Sequence, residues 1–335
     1  MLNILVIGAG TMGRMHAGSF AKMKCVSLVG IVDTDLNKAA KLADQLDTKA
    51  FRTYEEAVQQ SLVIDAVSIC VPTPVHKEFL LKAADDKKHI ICEKPLARTL
   101  TDAKEMIMYC SERDVKLFVG HVVRFSPEYI KAKLAVEKGV VGKPAVVRTS
   151  RGGKFPVASN DWYTAYDSSG GLVLDLLIHD FDFLRWCFGE VERVYAKSSR
   201  GRVYERLEYA LVTLRYKSGV IAHVEGSWAH QKFTTKFEIA GTEGIIDYDS
   251  SKVVSVLTGQ NQSNSGGGAA VPESPLEESS YYRELEHFVH CIKTNDDPVI
   301  SAADAYKAME ISMAVLESIE TGKAVTLNNN VKELI

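Results

Sequence analysis

Over the first third of the chain, short apolar and β-branched runs alternate with helically spaced segments. Leu2–Ile7, Val26–Val32, Ala66–Val71, His89–Cys92 and Lys116–Val119 are almost continuously apolar, as strands covered on both faces must be. Between them, Met12–Lys22, Leu36–Gln45, Tyr54–Ser61, Val75–Asp85 and Thr101–Glu112 have the spacing and length of helices, with Thr101 as a capping residue. Strand and helix in alternation predict an α/β fold, a Rossmann-like doubly wound parallel sheet, over residues 1–121.

After Gly120 the pattern changes. A helix is expected at Pro127–Lys138, a strand at Ala145–Arg151 and an amphipathic helix at Gly171–Cys187. Val191–Ser198, Leu207–Tyr216, Gly219–Trp228, Lys232–Ala240 and Gly244–Tyr248 then succeed one another as strand-like runs with no helix between them. Lys217–Gly219 and Gly241–Gly244 are turn signals, so hairpin-connected antiparallel strands are expected. Residues 122–335 therefore form a second, α+β domain with a large open, mainly antiparallel sheet. Gly259–Ser280 is polar and rich in Gly and Ser, the composition of a long surface loop. Two helices, Tyr281–Thr294 and Ala302–Thr321, close the pattern, with Gly322 as a stop; they are expected to pack back toward the N-terminal domain.

Composition narrows the class of partner. With 335 residues, 46% hydrophobic and 25% charged, the chain has the make-up of a globular protein of two domains. Forty basic residues against forty-three acidic ones give a formal charge of -3, which offers no field for nucleic acid or an anionic membrane. No stretch approaches the roughly 20 apolar residues of a membrane span. The six cysteines are scattered in apolar segments without a CxxC, which reads as reduced thiols in a cytoplasmic protein and gives no reason to expect a metal.

Gly8-Ala9-Gly10-Thr11-Met12-Gly13 follows a strand and opens a helix, the context in which GxGxxG binds a dinucleotide. The glycines allow a tight turn, close approach to the pyrophosphate and close packing of helix on strand. The N–H groups at the helix start, around Thr11 and Met12, receive the phosphates. Asp33, roughly 20 residues on, stands where a carboxylate accepts from the adenosine ribose hydroxyls. A 2′-phosphate there meets like charge, so NAD is favoured, while Lys38 one turn further leaves NADP open. Asp33 can also be read as a helix cap, for which Asp35 is the better candidate.

Three more segments come after strand ends, where open parallel sheets bind ligands: Cys70–His76 with Val71 and Thr73, Glu93-Lys94-Pro95, and His121–Pro127. Further on, Asp175 and His179 stand four apart in an apolar helix and share one face. Buried among Leu, Ile and Phe they must be paired or used; by themselves they fit a structural pair as well as a catalytic one. Asp180 and Asp182 beside them read as charges on the helix face.

The glycine motif with Asp33, the Glu-Lys-Pro tripeptide, Arg124-Phe125-Ser126-Pro127 and Gly170-Gly171 with Asp175 and His179 together resemble the glucose–fructose oxidoreductase/inositol dehydrogenase/rhizopine catabolism family. The likeness runs in order from the first strand to about residue 190 and resumes in the closing helices. It implies a catalytic group of Lys94, Asp175 and His179, a cis peptide before Pro95, and cofactor contacts that include Glu93, Lys94 and His76. It also implies substrate contacts from Arg124, Lys154, Asn160, Trp162 and His230. Histidine suits the base needed to take a hydroxyl proton at neutral pH.

Motifs and resemblance together imply an NAD-dependent dehydrogenase that interconverts a hydroxyl and a ketone on a polyol, inositol or sugar derivative, the substrate class resting on the resemblance. Two alternatives stay open: glycoside cleavage through transient oxidation by a tightly held NAD, and a non-catalytic NAD-responsive protein. The resemblance further implies a homodimer or homotetramer formed through the exposed sheet face, to which Tyr209, Leu211, Val220, Val224 and Trp228 bring apolar surface.

Overall fold

The computed structural model describes residues 1–60, 63–157, 159–200, 206–252 and 278–327. The chain divides into two compact units, the first built from residues 1–125 with the stretch ending at Tyr306, the second from Ser126 onward with the stretch starting at Lys307.

In the first unit β1 (Leu2–Ile7), β2 (Val26–Val32), β3 (Ala50–Phe51), β4 (Ala66–Ile69), β5 (His89–Glu93) and β6 (Leu117–Gly120) form a six-stranded sheet in the order β3-β2-β1-β4-β5-β6. All its pairings are parallel. Helices α1 (Thr11–Lys22), α2 (Leu36–Gln45), α3 (Tyr54–Gln59), α4 (His76–Asp85) and α5 (Leu100–Glu112) supply the crossovers. The apolar strand runs are apolar for the expected reason: Ile4 to Ile7 and Ala66 to Ile69 are buried. The order reverses between β1 and β4, so their carboxyl ends open the crevice in which such sheets bind ligands.

The second unit holds α6 (Pro127–Glu137), α7 (Tyr166–Ser169) and α8 (Ile178–Phe188) against a seven-stranded sheet. Its strands are β7 (Pro144–Lys154), β8 (Val191–Arg200), β9 (Glu208–Tyr216), β10 (Ile221–Ser227), β11 (Ala229–Gly241), β12 (Ile245–Asp249) and β13 (Val325–Thr326), ordered β12-β11-β7-β10-β9-β8-β13. β9 alternates strictly, with Ala210, Val212, Leu214 and Tyr216 turned inward. The inner face is sealed by aromatic packing, with Tyr129 edge-on to Phe183 at 4.8 Å and against Phe237 at 5.2 Å.

Helix α9 (Ser280–Thr294) returns to the first unit, and α10 (Ala302–Thr321) ends at Gly322 in the left-handed region. α9 buries Leu285, Phe288 and Val289 at helical spacing, and Phe288 stacks on Phe118 at 5.0 Å. Burying a side chain of this kind contributes about 1.5–3 kcal/mol. Lys116 Nζ donates to the Cys291 carbonyl at 2.7 Å, a cation at the negative end of α9.

Four expectations need correcting. The second sheet is no simple run of hairpins, because β7 and β10 pair in parallel and β7 sits between β11 and β10. The helix expected at Gly171–Cys187 is buried all round from Gly170 to Leu184 and begins with a π-helical turn, Val173–Leu177. The cap of α5 is Thr99, whose hydroxyl accepts from the Asp102 N–H, and not Thr101. Asp180 and Asp182 are no surface charges, since both are buried, Asp180 against Arg151. The loop Gly259–Ser280 falls almost wholly outside the described residues.

Candidate active site

The dinucleotide motif folds as its residues require. Gly8 has φ of 104°, and its N–H donates to the Val32 carbonyl at 2.7 Å, tying the start of the turn after β1 to the end of β2. A Cβ on Gly13 would lie 1.7 Å from the Gly8 carbonyl oxygen, so helix and strand meet this closely only without one. A Cβ on Gly10 would meet nothing within 4 Å. That open cradle faces a helix start with no side-chain cap and no acidic residue in the first turn, which leaves the N–H groups around Thr11 and Met12 for an anion. The residues fit a pyrophosphate.

Asp33 supports the same loop. Its Oδ2 accepts from the Ala9 N–H and its Oδ1 from the Asp35 N–H, both at 2.8 Å, and the two oxygens retain lone pairs for ribose hydroxyls. Asp35 is the cap of α2, accepting from the N–H groups of Asn37 and Lys38. Capping is therefore not what Asp33 does.

At the end of β5, Lys94 is half-buried and the Lys94–Pro95 bond is cis. Glu93 beside it is buried, and its carboxylate faces protein: Oε1 lies 2.9 Å from His16 Nε2, and Oε2 accepts from the Lys94 N–H at 3.2 Å. His16 Nδ1 in turn lies 2.8 Å from the Ser68 hydroxyl. Burial opposes charge on both partners. The adjacent Cys70 and Glu93 nevertheless hold the His16 pKa well above its ordinary value, and His16 holds Glu93 below the usual carboxylate range.

His76 is buried as well, with Nε2 at 2.8 Å from the Val71 carbonyl and Nδ1 at 3.1 Å and 3.2 Å from those of Pro95 and Leu96. Burial pushes its pKa down. Its ring thus ties the turn after β4, where Thr73 is buried, to the turn after β5.

In the second unit Asp175 lies in the π-helical turn and His179 in the first turn of α8, each 3% exposed. Single π-helical turns inside helices recur at functional sites. Asp180, 1% exposed, takes a forked contact from Arg151 on β7, Nε at 2.6 Å and Nη2 at 3.4 Å. Arg151 also donates to the Tyr129 hydroxyl at 3.0 Å, and burial pushes that phenol up to about 12. At the helix start, Glu208 on β9 accepts from the Leu172 N–H at 3.0 Å. The segment carrying Asp175 and His179 is thus fixed to the sheet at both ends.

The residues expected to touch substrate fare unequally. Arg124 is buried with its guanidinium on the Val299 carbonyl at 2.9 Å and near Asp304 at 3.5 Å, contacts that brace its own unit. Trp162 is half-buried and stacks on Tyr163 at 4.2 Å. His230 is exposed in an irregular stretch of β11, its ring lying over Gly152, where a Cβ would come within 2.3 Å. Lys154 is exposed at the end of β7. Asn160 lies in the short 3-10 helix Ser159–Thr164, and its side chain is outside the described residues.

The sequence pattern assigns no role to His16 or Ser68. Their signal was available: a histidine on the inward face of α1 and a hydroxyl within a strand covered on both sides are polar groups that must find partners.

Fold and site together define an NAD-binding oxidoreductase. Comparison with known proteins names the family: residues 2–121 match the GFO/IDH/MocA model described as an oxidoreductase family with an NAD-binding Rossmann fold, and residues 129–247 match the GFO/IDH/MocA C-terminal domain. The chain belongs to this family. It is 33% identical over 97% of its length to the myo-inositol 2-dehydrogenase of Thermotoga maritima, covering 98% of that protein. It is 28% identical to the scyllo-inositol 2-dehydrogenase (NAD(+)) of Bacillus subtilis, over 96% of this chain and 95% of that one. Among solved structures, a probable dehydrogenase from Thermotoga maritima superposes with a TM-score of 0.83 at 31% identity, covering 97% of this chain and 98% of that one.

Proposed function

We propose that this chain oxidises a secondary hydroxyl of an inositol, polyol or sugar derivative to the ketone, or carries out the reverse reduction. The carrying observation is an acid and an imidazole, Asp175 and His179, held deep in an apolar helix of a chain 33% identical to a myo-inositol 2-dehydrogenase. NAD supplies the nicotinamide carbon that exchanges hydride with the substrate. His179 takes the hydroxyl proton, and Asp175 orients the ring and stabilises the imidazolium that forms. The Lys94 ammonium donates a hydrogen bond to the reacting oxygen and favours its ionisation. Gly8, Gly10, Thr11, Met12 and Gly13 hold the pyrophosphate, Asp33 the ribose, and the turns at Val71–Thr73 and Glu93–Lys94 the nicotinamide end. Trp162, Asn160 and His230 are the substrate contacts.

Six free thiols fit a reducing compartment, and we assign the protein to the cytoplasm. No described helix is long and apolar enough to cross a membrane. We further infer that copies of the chain pair through the outer face of the second sheet.

The test is a panel of inositols, sugars and sugar derivatives with NAD and, separately, NADP, monitoring the reduced cofactor. Growth of NADH with at least one polyol is expected. No reduced cofactor with any member, together with cleavage of a glycoside, would turn the reading to transient oxidation. His179→Ala is expected to lower kcat by about 100- to 10,000-fold and to leave NAD binding intact. Loss of NAD affinity instead would mean the base is misassigned.

A further inference from the structure

The Glu93–Leu96 turn is held by two buried imidazoles, one on the Glu93 carboxylate and one on main-chain carbonyls. On one side His16, from α1, meets Glu93 Oε1 at 2.9 Å, and the other carboxylate oxygen takes the Lys94 N–H at 3.2 Å. Gly120 on β6 lies against this carboxylate, where a Cβ would come within 3.3 Å of Oε1, so a larger residue there would crowd Glu93. On the other side His76, from α4, faces the Pro95 and Leu96 carbonyls and the Val71 carbonyl.

A charged pair in a core is a poor source of stability, because desolvation offsets most of the attraction. What it supplies is direction. Ser68 fixes the far nitrogen of His16, so the ring orientation, the carboxylate and the Lys94 N–H are set in series from α1. That same helix presents its free N–H groups one turn earlier, at the open cradle around Gly10.

We propose that His16 and Glu93 are positioning residues that set Lys94 against the nucleotide-binding helix, so that a dinucleotide seated on α1 finds the lysine at a fixed distance. Neither side chain touches substrate or cofactor; the Glu93 main chain stays part of the turn proposed to hold the nicotinamide end, while its carboxylate faces His16 and the Lys94 N–H. Glu93, a cofactor contact by family resemblance, acts through Lys94. The inference rests on the role proposed for Lys94 in catalysis, and its test separates the two.

NAD is titrated into wild type, Glu93→Gln, His16→Leu and His16→Gln. Acylation of Lys94 by acetic anhydride is measured by mass spectrometry with and without NAD, and kcat and KM are measured on the best polyol. Glu93→Gln and His16→Leu are expected to bind NAD within about threefold of wild type, to lose NAD protection of Lys94, and to lose about tenfold or more in kcat. His16→Gln, whose amide still reaches Glu93 as a donor, is expected to recover most of both. Glu93→Gln preserves volume and carries the test should His16→Leu not fold.

Equal protection and unchanged kcat in the folded variants would overturn the inference. So would an NAD affinity that falls in step with kcat, since the pair would then shape the nucleotide loop and not the lysine. Absence of NAD protection in the wild type is a separate failure, which overturns the placement of Lys94 itself.

Discussion

A single methyl group separates the two jobs that glycine performs in the nucleotide loop. At Gly13 a Cβ collides with the Gly8 carbonyl at 1.7 Å, a backbone contact that no rotamer relieves. At Gly10 it enters open space, and the backbone there, with φ of −70°, is one that alanine adopts. Gly10→Ala should therefore keep its folding stability within about 1 kcal/mol of wild type while losing NAD affinity, because the methyl fills the place the phosphates need. Gly13→Ala should lose stability and NAD binding together. Melting curves and NAD titration on both variants decide the matter, and an unchanged NAD affinity in Gly10→Ala would contradict the cradle. The His16–Glu93 pair adds a pH signature. His16 is raised from 6.5, so its contribution is complete below pH 6.5 and fades as pH rises through the raised value. Glu93 is lowered from 4.5, so its contribution is complete above pH 4.5 and fades as pH falls through the lowered value. The stability difference between wild type and Glu93→Gln should accordingly be greatest between pH 4.5 and 6.5 and shrink on either side. A difference that stays flat from about pH 4 to about pH 9 would show the pair to be uncharged.

Among elements, the helix bearing Asp175 and His179 owes its placement to groups on the sheet. Arg151→Met leaves the Asp180 carboxylate buried without its counterion and should cost about 3–5 kcal/mol, whereas adding Asp180→Leu should return more than half, because paired removal takes away the desolvation penalty with the attraction. Denaturant unfolding of the single and double variants reads this, and a single variant within about 1 kcal/mol of wild type would show the site to be hydrated. None of this support is legible in the sequence, because Asp180 in isolation reads as a surface charge and only its partner on β7 says otherwise. The π-helical turn leaves no mark in the pattern, and the parallel pairing of β7 with β10 is invisible to alternation, which specifies faces and not neighbours. Legible features are those that local chemistry dictates. β1, β2 and α2 are placed to the residue because strands covered on both faces are apolar throughout and an Asp cap marks a start. The glycine loop, Asp33 and Lys94 stand out because few structural roles ask for those residues at strand ends. The two-residue strands β3 and β13 carry too little pattern to be seen.

For the whole molecule, the strict alternation of β9 turns one set of side chains inward and leaves the other facing out. Leu211 is 45% exposed and Ile221 on the neighbouring β10 40%, with Tyr195 and Tyr209 on the same face. Val220, Val224 and Trp228, expected there too, are buried. The outer face is no bare apolar patch. Arg148 pairs with Glu238 and Lys236 with Asp249 at 3.0 Å, and Glu225 stands opposite Leu211. Apolar residues among satisfied ion pairs suit a self-complementary surface, on which a second copy related by a two-fold axis sets the same groups against themselves. Small-angle scattering over a dilution series should give the mass of a dimer or tetramer at concentrations where a weak association dissociates. Leu211→Lys with Ile221→Lys should shift the mass to the monomer by placing like charges opposite one another. The nucleotide loop belongs to the other unit, so NAD titration of the double variant should give the wild-type affinity. A wild-type monomer at every concentration would reject the assembly and leave the outer face to some other partner.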